Sequence, residues 1–389
     1  MKYDFDTPID RRNTSSLKYD FALQRGKPAD ALPFWVADMD FKTAPCVLRA
    51  LQQVTDHGIF GYTEATESYY AALQGWYETR FGWQFSAESV VKTPGIVYAI
   101  CAAIRGFTAP GDAVLIQQPV YYPFEESVVL NHRKLVVNQL VYENGAYHID
   151  FEDFENKIIE NKIKLFILCS PHNPVGRVWT KQELLQMGEI CLRHGAVVVS
   201  DEIHADFVYN GHTHHVFAGL SPALAQNCLV CTSPTKTFNL AALQISNIII
   251  PNRALRQTFV AEIDKTGYSQ ANGFGIAACE AAYREGGPWL DQLQQYLAEN
   301  LAFVRGFAAE NLPAVSLVEP EGTYLVWLDC RKTGLSDSEL DKLVLNKAKL
   351  WLDGGTMFGL GGSSFQRINI ACPRRLLQTA MRRLAETLG

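Results

Sequence analysis

The sequence of 389 residues lacks any apolar run near the roughly 20 residues that a membrane-spanning helix needs. Its start, residues 1–13, is polar and charged, without the apolar stretch of a secretion signal. A basic excess is missing too, because 35 lysines and arginines stand against 41 aspartates and glutamates, a formal net charge of −6. These features argue against membrane and nucleic-acid partners and predict a cytoplasmic protein.

Signs of disulfides and metal sites are also scarce. The nine cysteines are an odd number, and most lie in apolar runs, as Cys101 and Cys169 do, which predicts reduced thiols in the core. Cys228 and Cys231 have the spacing of zinc and redox sites. They fall in one strand-like run, where positions three apart point to opposite faces, and no second pair completes a zinc site. We therefore predict no metal site, and we interpret the histidines within 212–215 as part of a solvated loop.

Short apolar runs rich in β-branched residues alternate with helical segments through the middle of the chain. Segment Lys181–His194 has helical spacing, and Thr180 with Glu183 forms a predicted capping box at its start. Alternating strands and helices predict an α/β fold with a mostly parallel, doubly wound sheet. The predicted strands are 113–117, 134–138, 165–169, 196–200, 229–232 and 245–250.

The last hundred residues follow a different pattern, which predicts a smaller α+β C-terminal domain at residues 288–389. The large domain then spans residues 46–287, and we expect residues 1–45 to form an N-terminal segment that packs with the small domain. The predicted elements of the small domain are a helix at 288–311, a strand at 323–328, a helix at 336–345, a glycine-rich loop at 354–362, a strand at 367–371 and a final helix.

Ligands of open parallel sheets bind at the carboxyl ends of the strands, so the residues that follow each strand are candidates for a site. Lys236 lies just after the strand at 229–232, between the hydroxyls of Ser233 and Thr235. A lysine there suits an amine that must be partly desolvated to act as a nucleophile, and the hydroxyls suit a phosphate. The alternatives are a surface lysine, or a Ser-x-x-Lys acyl-enzyme motif, whose Lys-Thr-Gly and Ser-Asp-Asn partners are missing.

Two further strand ends carry polar side chains. Asp201 follows the strand at 196–200 and is a candidate to hold the proton on the ring nitrogen of pyridoxal 5′-phosphate (PLP), or else a helix N-cap. His204 is a second group near the cofactor or simply a hydrogen-bonded histidine. Asn173, between two prolines after the strand at 165–169, can donate to the phenolate oxygen of the cofactor, although Asn-Pro-x-Gly alone indicates only a turn.

A fourth signal precedes the apolar helix predicted at 98–107. Gly95, Ile96 and Val97 form a glycine turn that opens this helix, and free N–H groups at the positive end of a helix form a seat for phosphate. Taken alone the signal is weak, because many helices begin after a glycine. Together the four signals predict one PLP site.

In this order the motifs resemble the fold-type I PLP enzymes, the aminotransferase class I/II superfamily, over nearly the whole chain. The likeness is greatest to the MalY/PatB branch of cystathionine β-lyases and C–S lyases. The residues that carry the resemblance are Leu32–Phe41, His57–Tyr62, Pro119–Phe124, Ser170–Trp179, Ser200–His204, Ser233–Asn239 and Arg367–Arg374.

The resemblance implies further roles for individual residues. Tyr121 is expected to stack on the cofactor ring, and Tyr62 to reach the phosphate of the partner subunit, which implies a homodimer with shared active sites. Arg367 is expected to bind the α-carboxylate of the substrate. The residues expected to line the substrate pocket are Tyr122, Ala37 and Asp38.

The resemblance also implies a reaction: a PLP-dependent C–S β-lyase that converts L-cystathionine or another cysteine S-conjugate to pyruvate, ammonia and a thiol. Lys236 is expected to hold the cofactor and to take the α-proton. An aminotransferase of the same fold is the alternative. However, His204 stands where transaminases usually carry a tyrosine, and no arginine follows Lys236 before Arg253. A regulatory protein that binds a transcription factor is the alternative of another class.

Overall fold

The computed structural model describes residues 2–389. Within this range the strands are β1 (Leu32–Pro33), β2 (Val90–Thr93), β3 (Ala113–Gln118), β4 (Lys134–Gln139), β5 (Val141–Glu143), β6 (Ala146–His148), β7 (Leu165–Cys169), β8 (Val197–Asp201), β9 (Cys228–Thr232), β10 (Ser246–Ile249), β11 (Ser316–Val318), β12 (Leu325–Asp329), β13 (Leu350–Trp351), β14 (Asp353–Gly354) and β15 (Phe365–Asn369). The helices are α1 (Pro45–His57), α2 (Glu67–Phe81), α3 (Ile96–Phe107), α4 (Pro123–Leu130), α5 (Phe151–Glu160), α6 (Lys181–His194), α7 (Pro222–Ala225), α8 (Pro234–Thr237), α9 (Arg253–Asp264), α10 (Gly273–Glu285), α11 (Gly287–Asn311), α12 (Asp337–Lys342) and α13 (Arg374–Leu388).

A seven-stranded sheet forms the centre of the molecule, in the order β2-β10-β9-β8-β7-β3-β4. All neighbours pair in parallel except β10, which is antiparallel to both β2 and β9. The predicted mostly parallel sheet is therefore confirmed. Because β7, β8 and β9 run side by side in the same direction, their carboxyl ends meet at one edge, which is where the candidate site lies.

The alternation of side chains along β7 explains why both faces of the sheet are covered. Leu165, Ile167 and Cys169 face a core that α3 closes with Ile100, while Phe166 and Leu168 face the core on the opposite side. Every residue of β7 is buried, which requires helices on both faces. Burial of each such aliphatic side chain contributes about 1.5–3 kcal/mol.

Helix α6 begins where the sequence predicts it. Thr180 accepts a hydrogen bond from the backbone of Glu183, and the Glu183 carboxylate accepts one from the backbone of Thr180, so the predicted capping box is confirmed. The cap ends the connection from β7 and sets the direction in which α6 crosses back to β8.

The C-terminal part forms a second sheet, with the antiparallel order β11-β12-β15-β14. The N-terminal segment packs on this part, since Leu32 pairs with Leu350 and the N–H of Phe34 donates to the carbonyl of Trp351 at 2.8 Å. These contacts support the expected packing of residues 1–45, of which Met1 lies outside the described residues. The division of the chain after residues 45 and 287 stays a prediction.

Between residues 2 and 389, no helix combines the length and the apolar character needed to cross a membrane.

Candidate active site

A cavity of about 200 Å³ opens at the carboxyl ends of β7, β8 and β9, between the central sheet and the C-terminal part. The structure brings most of the predicted site residues to its wall. Their neighbours come from distant parts of the chain, including residues 35–37 and 353. The lining residues are Trp35, Val36, Ala37, Pro94, Gly95, Ile96, Val97, Tyr121, Tyr122, Cys169, Asn173, Asp201, Ile203, His204, Thr235, Lys236, Ala241, Ser246, Asp353 and Arg367.

Lys236 lies on the short helix α8, which places its amine inside the cavity. Nζ donates a hydrogen bond to the backbone carbonyl of Ala37 at 3.0 Å. Burial of the amine lowers the pKa of Lys236 to about 8, although the carboxylate of Asp38 opposes the shift. A usable share of the amine is thus neutral near pH 7, as a nucleophile or base requires. The alternative of a surface lysine does not fit this position.

Ser233 caps α8 and lies behind the cavity wall instead of on it. Its Oγ accepts the N–H of Thr235 at 3.1 Å and donates to the carbonyl of Ile245 at 2.7 Å. Thr235 itself lines the cavity. Ser233 therefore holds the lysine-bearing turn in place, and of these two residues only Thr235 lines the space where a ligand fits.

Asp201 is the last residue of β8 and is buried at the cavity wall. One carboxylate oxygen accepts the N–H of Ile203 at 3.1 Å. Burial raises the pKa of Asp201 to about 7, and Lys236 opposes the shift only in part. Turns at residues 203–206 follow the strand, so the N-cap alternative is not met. A cation placed against this acid would be strongly stabilised, because it would compensate for lost solvation.

His204 is buried at the cavity wall, and its Nδ1 has no hydrogen-bond partner in the described part of the chain. Burial, together with the positive charges of Lys236 and Arg367, lowers the pKa of His204 to about 3. The ring is therefore neutral and has an uncommitted nitrogen at the cavity. This arrangement favours a role for His204 near a ligand over that of a fully hydrogen-bonded histidine.

Asn173 joins the site through both its backbone and its side chain. Its carbonyl accepts the N–H of Tyr121 at 3.0 Å, which positions that ring at the cavity wall. Its Oδ1 accepts a hydrogen bond from Arg367 at 2.9 Å. Because the amide oxygen is occupied, the side-chain NH₂ group is the part of Asn173 that remains to donate into the cavity.

The start of α3 forms the floor of the cavity. The first helical hydrogen bond runs from the N–H of Ala99 to the carbonyl of Gly95, so the N–H groups of Ile96 and Val97 have no partner within the helix. No atom lies within 4 Å of the position that a side chain at Gly95 would occupy. Open space in front of free N–H groups at a helix start is what an anion requires.

Arg367 on β15 is buried and is held from three sides. Its guanidinium donates to Asn173, to the backbone carbonyl of Trp35 at 2.7 Å and to the carboxylate of Asp353, and its Nε is buried without a partner. Asp353 lies directly opposite Arg367 on the antiparallel neighbour β14. Sequence reasoning missed Asp353, whose only signal was its acidic character at the start of the glycine-rich loop.

Two of the three residues expected to line the substrate pocket lie at the cavity wall, and the third does not. Tyr122 and Ala37 line the cavity, but Asp38 does not. The Asp38 carboxylate binds Arg11 at 2.6 Å and lies 3.5 Å from the amine of Lys18, and its expected contact with substrate stays a prediction. Both basic side chains belong to the N-terminal segment, a pairing that local sequence spacing does not reveal.

The expected solvated histidine loop is wrong for one of its members. His212 is exposed, but His214 is buried and its Nε2 lies 2.8 Å from a carboxylate oxygen of Glu202. Glu202 also accepts hydrogen bonds from Ser200 and from the N–H of Phe217. A buried carboxylate such as that of Glu202 needs hydrogen-bond donors in place of water, and the ring of His214 is one of its partners.

Tyr62 lies outside the cavity of its own chain. It is 95% exposed, on a loop that borders a groove formed by α1 and α10.

Among residues 2–389 no group of three or more histidine, cysteine or acidic side chains is arranged to hold a metal ion, and Cys228 and Cys231 are buried free thiols.

The cavity fits PLP group by group. The open start of α3 suits the phosphate, the amine of Lys236 suits the aldehyde, and the buried acid of Asp201 suits the ring nitrogen. The free amide group of Asn173 suits the phenolate oxygen. The unpaired Nδ1 of His204 is a further donor or acceptor for the same ligand.

Comparisons with known proteins agree with this fit. Cystathionine beta-lyase PatB of Bacillus subtilis (strain 168) is 45% identical over 385 residues, covering 99% of this chain and 100% of that protein. The PLP-containing crystal structure of cystalysin from Treponema denticola has a TM-score of 0.96 at 37% identity, covering 100% of this chain and 99% of that one. The PLP-bound C-S lyase from Staphylococcus hominis has a TM-score of 0.93 at 33% identity, covering 100% of this chain and 98% of that one.

These similarities confirm the fold-type I architecture and the resemblance to the PatB-type lyases. The family model for aminotransferase class I and II matches residues 30–384, which include every residue of the cavity wall. The chain therefore belongs to the aminotransferase class I and II family.

Proposed function

We propose that the protein is a PLP-dependent C–S β-lyase that acts on L-cystathionine or another cysteine S-conjugate. One observation carries the chemistry: the buried amine of Lys236, with a pKa of about 8, shares a small cavity with the buried acid Asp201. The names of the relatives support the reaction class, since PatB is a cystathionine beta-lyase and the Staphylococcus hominis protein is a C-S lyase. The cofactor is PLP, and the substrate is a small amino acid.

Bound PLP supplies an electron sink for the bonds at the α-carbon of the substrate. The residues of the chain bind, orient and move protons around it. Arg367 binds the substrate α-carboxylate, because its guanidinium is already fixed by Asn173 and Asp353. Asp201 would hold the protonated ring nitrogen of the cofactor, and the start of α3 with the Thr235 hydroxyl would hold its phosphate.

Lys236 transfers the α-proton of the substrate. Its neutral amine removes the α-proton, and the proton then resides on Nζ, within reach of the backbone carbonyl of Ala37. From there it is available to the thiolate that leaves the β-carbon. Hydrolysis of the remaining three-carbon fragment gives pyruvate and ammonia, so one α-proton and one water account for the products.

The test separates a lyase from an aminotransferase, since both begin with the same proton removal. L-Cystathionine alone should yield pyruvate, ammonia and homocysteine in equal amounts, and added 2-oxoglutarate should not speed the reaction. Lys236→Ala should abolish the release of all three products. Product formation that depends on an oxo acid, with the amino group recovered on that acid, would favour the aminotransferase instead.

We also propose a homodimer in which Tyr62 binds the phosphate in the site of the partner subunit. Exposed apolar side chains on the same loop, Ile59 and Phe60, support an interface there, as they are 71% and 66% exposed. Mixing the inactive variants Lys236→Ala and Tyr62→Ala should restore activity, because one site of each mixed dimer would be intact. Subunit exchange without any recovery would contradict shared sites.

We propose, further, that the enzyme works in the cytoplasm. All nine cysteines are free, and eight of them are buried, which suits a reducing compartment. Expression of a tagged chain followed by cell fractionation tests this assignment.

A further inference from the structure

Arg367 and Asp353 form a buried ion pair at the wall of the cavity. They lie opposite each other on β15 and β14, and their side chains are 4% and 5% exposed. Within residues 2–389, Arg367 is the only hydrogen-bond donor to the Asp353 carboxylate. The buried carboxylate of Asp40, by contrast, binds both Arg11 and Lys18. Asp353 therefore depends on a single partner to remain ionised away from water.

The guanidinium of Arg367 has little free hydrogen-bonding capacity. Its Nη2 donates to the carbonyl of Trp35 at 2.7 Å and to the carboxylate of Asp353, and its Nη1 donates to Asn173 at 2.9 Å. A carboxylate that binds a guanidinium through two parallel hydrogen bonds uses Nη2 together with either Nε or Nη1. Because both hydrogens of Nη2 are taken, an incoming carboxylate must replace one of the acceptors already present.

Asp353 is the acceptor that an incoming carboxylate displaces most easily. The carbonyl of Trp35 is neutral, whereas two carboxylates at one guanidinium repel each other. Burial already raises the pKa of Asp353, and the charge of Arg367 opposes the shift, so loss of this partner favours the neutral acid. The guanidinium stays oriented by Asn173 and Trp35, and its Cζ lies 4.9 Å from the ring centroid of Phe358.

We propose that Asp353 competes with the substrate α-carboxylate for Arg367 and takes up a proton from solvent when the substrate binds. Asp353 is then a positioning residue that acts through Arg367. The inference rests on the proposed binding of the substrate carboxylate by Arg367 and adds how that binding is controlled. Because pyruvate carries a carboxylate as well, ionised Asp353 also favours the release of product.

Other ionisable groups surround the pair. The charge of Lys27 acts on Asp353 from the N-terminal segment, and the charge of Asp353 contributes, after burial, to the raised pKa of Tyr122. A substitution confined to Asp353 leaves these groups in place, so a comparison with the wild type isolates its titration. The remaining groups are Arg25 and Glu126, which act on Tyr122, Asp341, which lies against Gly354, and Lys236, Asp201 and His204 in the cavity.

The experiment measures the binding of 3-(methylthio)propanoate to the PLP-loaded enzyme. This probe has the carboxylate of an S-methylcysteine but lacks the amine, so it binds without reacting. Its Kd is measured from the absorbance of the bound cofactor between about pH 5.5 and about pH 9. In the wild type the affinity should fall, about tenfold in total, as the pH rises through the pKa of Asp353, because only the ionised acid competes.

Asp353→Asn keeps an oxygen that accepts from Arg367 but removes the charge. Its affinity for the probe should match that of the protonated wild type at every pH, so it should exceed the wild-type affinity about tenfold at the high-pH end. If Asp353 serves only to hold Arg367 in place, the same substitution weakens binding instead. Weaker binding in Asp353→Asn, or a pH dependence equal to that of the wild type, would overturn the proposal.

Asp341→Asn is the matched control. Asp341 accepts a hydrogen bond from Gln366 at 2.7 Å and does not line the cavity, so this variant should bind the probe as the wild type does. If Asp353→Asn does not fold, calorimetric titration of the wild type in two buffers of different ionisation enthalpy still decides. It should show proton uptake beyond that reported by the cofactor absorbance, and absence of such uptake would overturn the proposal.

A second variant separates this inference from the function on which it rests. Arg367→Gln should lose the binding of the probe, and full retention would overturn the role of Arg367 and the inference with it. Release of pyruvate from L-cystathionine by the wild type tests the lyase function independently of both results.

Discussion

The amine of Lys236 gives the most direct quantitative test of the site. With a pKa of about 8, roughly 10% of the amine is neutral at pH 7, against roughly 0.04% for an ordinary lysine of pKa ~10.4. Burial of the amine is the cause, so the protein free of cofactor should capture the aldehyde of PLP roughly 200-fold faster at pH 7 than an exposed lysine with the same access would. The rate should rise about tenfold per pH unit below pH 8 and level off above it.

Stopped-flow absorbance of the cofactor-free enzyme mixed with PLP, between about pH 6 and about pH 10, measures this rate. Two other groups titrate nearby and need controls. Unphosphorylated pyridoxal removes the titration of the phosphate, and Asp201→Asn removes that of the acid whose pKa is about 7. Lys236→Ala should show no capture at this site. If the capture rate keeps rising through pH 10 for the wild type with PLP, for the wild type with pyridoxal and for Asp201→Asn, the idea that burial lowers the pKa of Lys236 is refuted.

Three further predictions concern single substitutions. Lys18→Met should destabilise the protein by about 3–5 kcal/mol in denaturant unfolding at fixed protein concentration, because it leaves the buried carboxylate of Asp40 without the amine 2.9 Å away. The exposed control Arg12→Gln should not change the free energy of unfolding, and an equal effect of both substitutions would count against a buried ion pair. Asp201→Asn keeps the shape of the side chain but not its charge, so steady-state turnover should fall on the order of a hundredfold or more while cofactor capture persists. Thr180→Ala removes the cap of α6 and should lower the free energy of unfolding by about 1 kcal/mol without changing turnover, and a loss of turnover would contradict a purely local role.

Much of the central architecture could be predicted because it depends on local patterns. The strand at 165–169 is buried on both faces, so its residues form one continuous apolar run, and the helix that follows carries its own capping box. The parallel order of strands then brings the residues after each strand to one edge, which is why Lys236, Asp201 and Asn173 meet in one cavity as expected. The antiparallel direction of β10 was not predicted, because a buried apolar strand has the same sequence pattern in parallel and in antiparallel pairing.

The partners of charged and polar groups could not be predicted in the same way. The pairing of Asp38 with Arg11 and Lys18, 27 and 20 residues away in the chain, was not predicted. His214 was expected in a solvated loop but pairs with the buried acid Glu202.

The sequence by itself determined the strands, the caps and the order of the motifs, since apolar periodicity and backbone capping act over a few residues. Only the tertiary structure decided which acid meets which base. The position of Asp353 opposite Arg367 depends on the register of two strands, and the pairing of Lys18 with Asp40 depends on how the N-terminal segment packs. Charges buried together must be paired or moved into solvent, and the packing of distant segments settles which of these occurs.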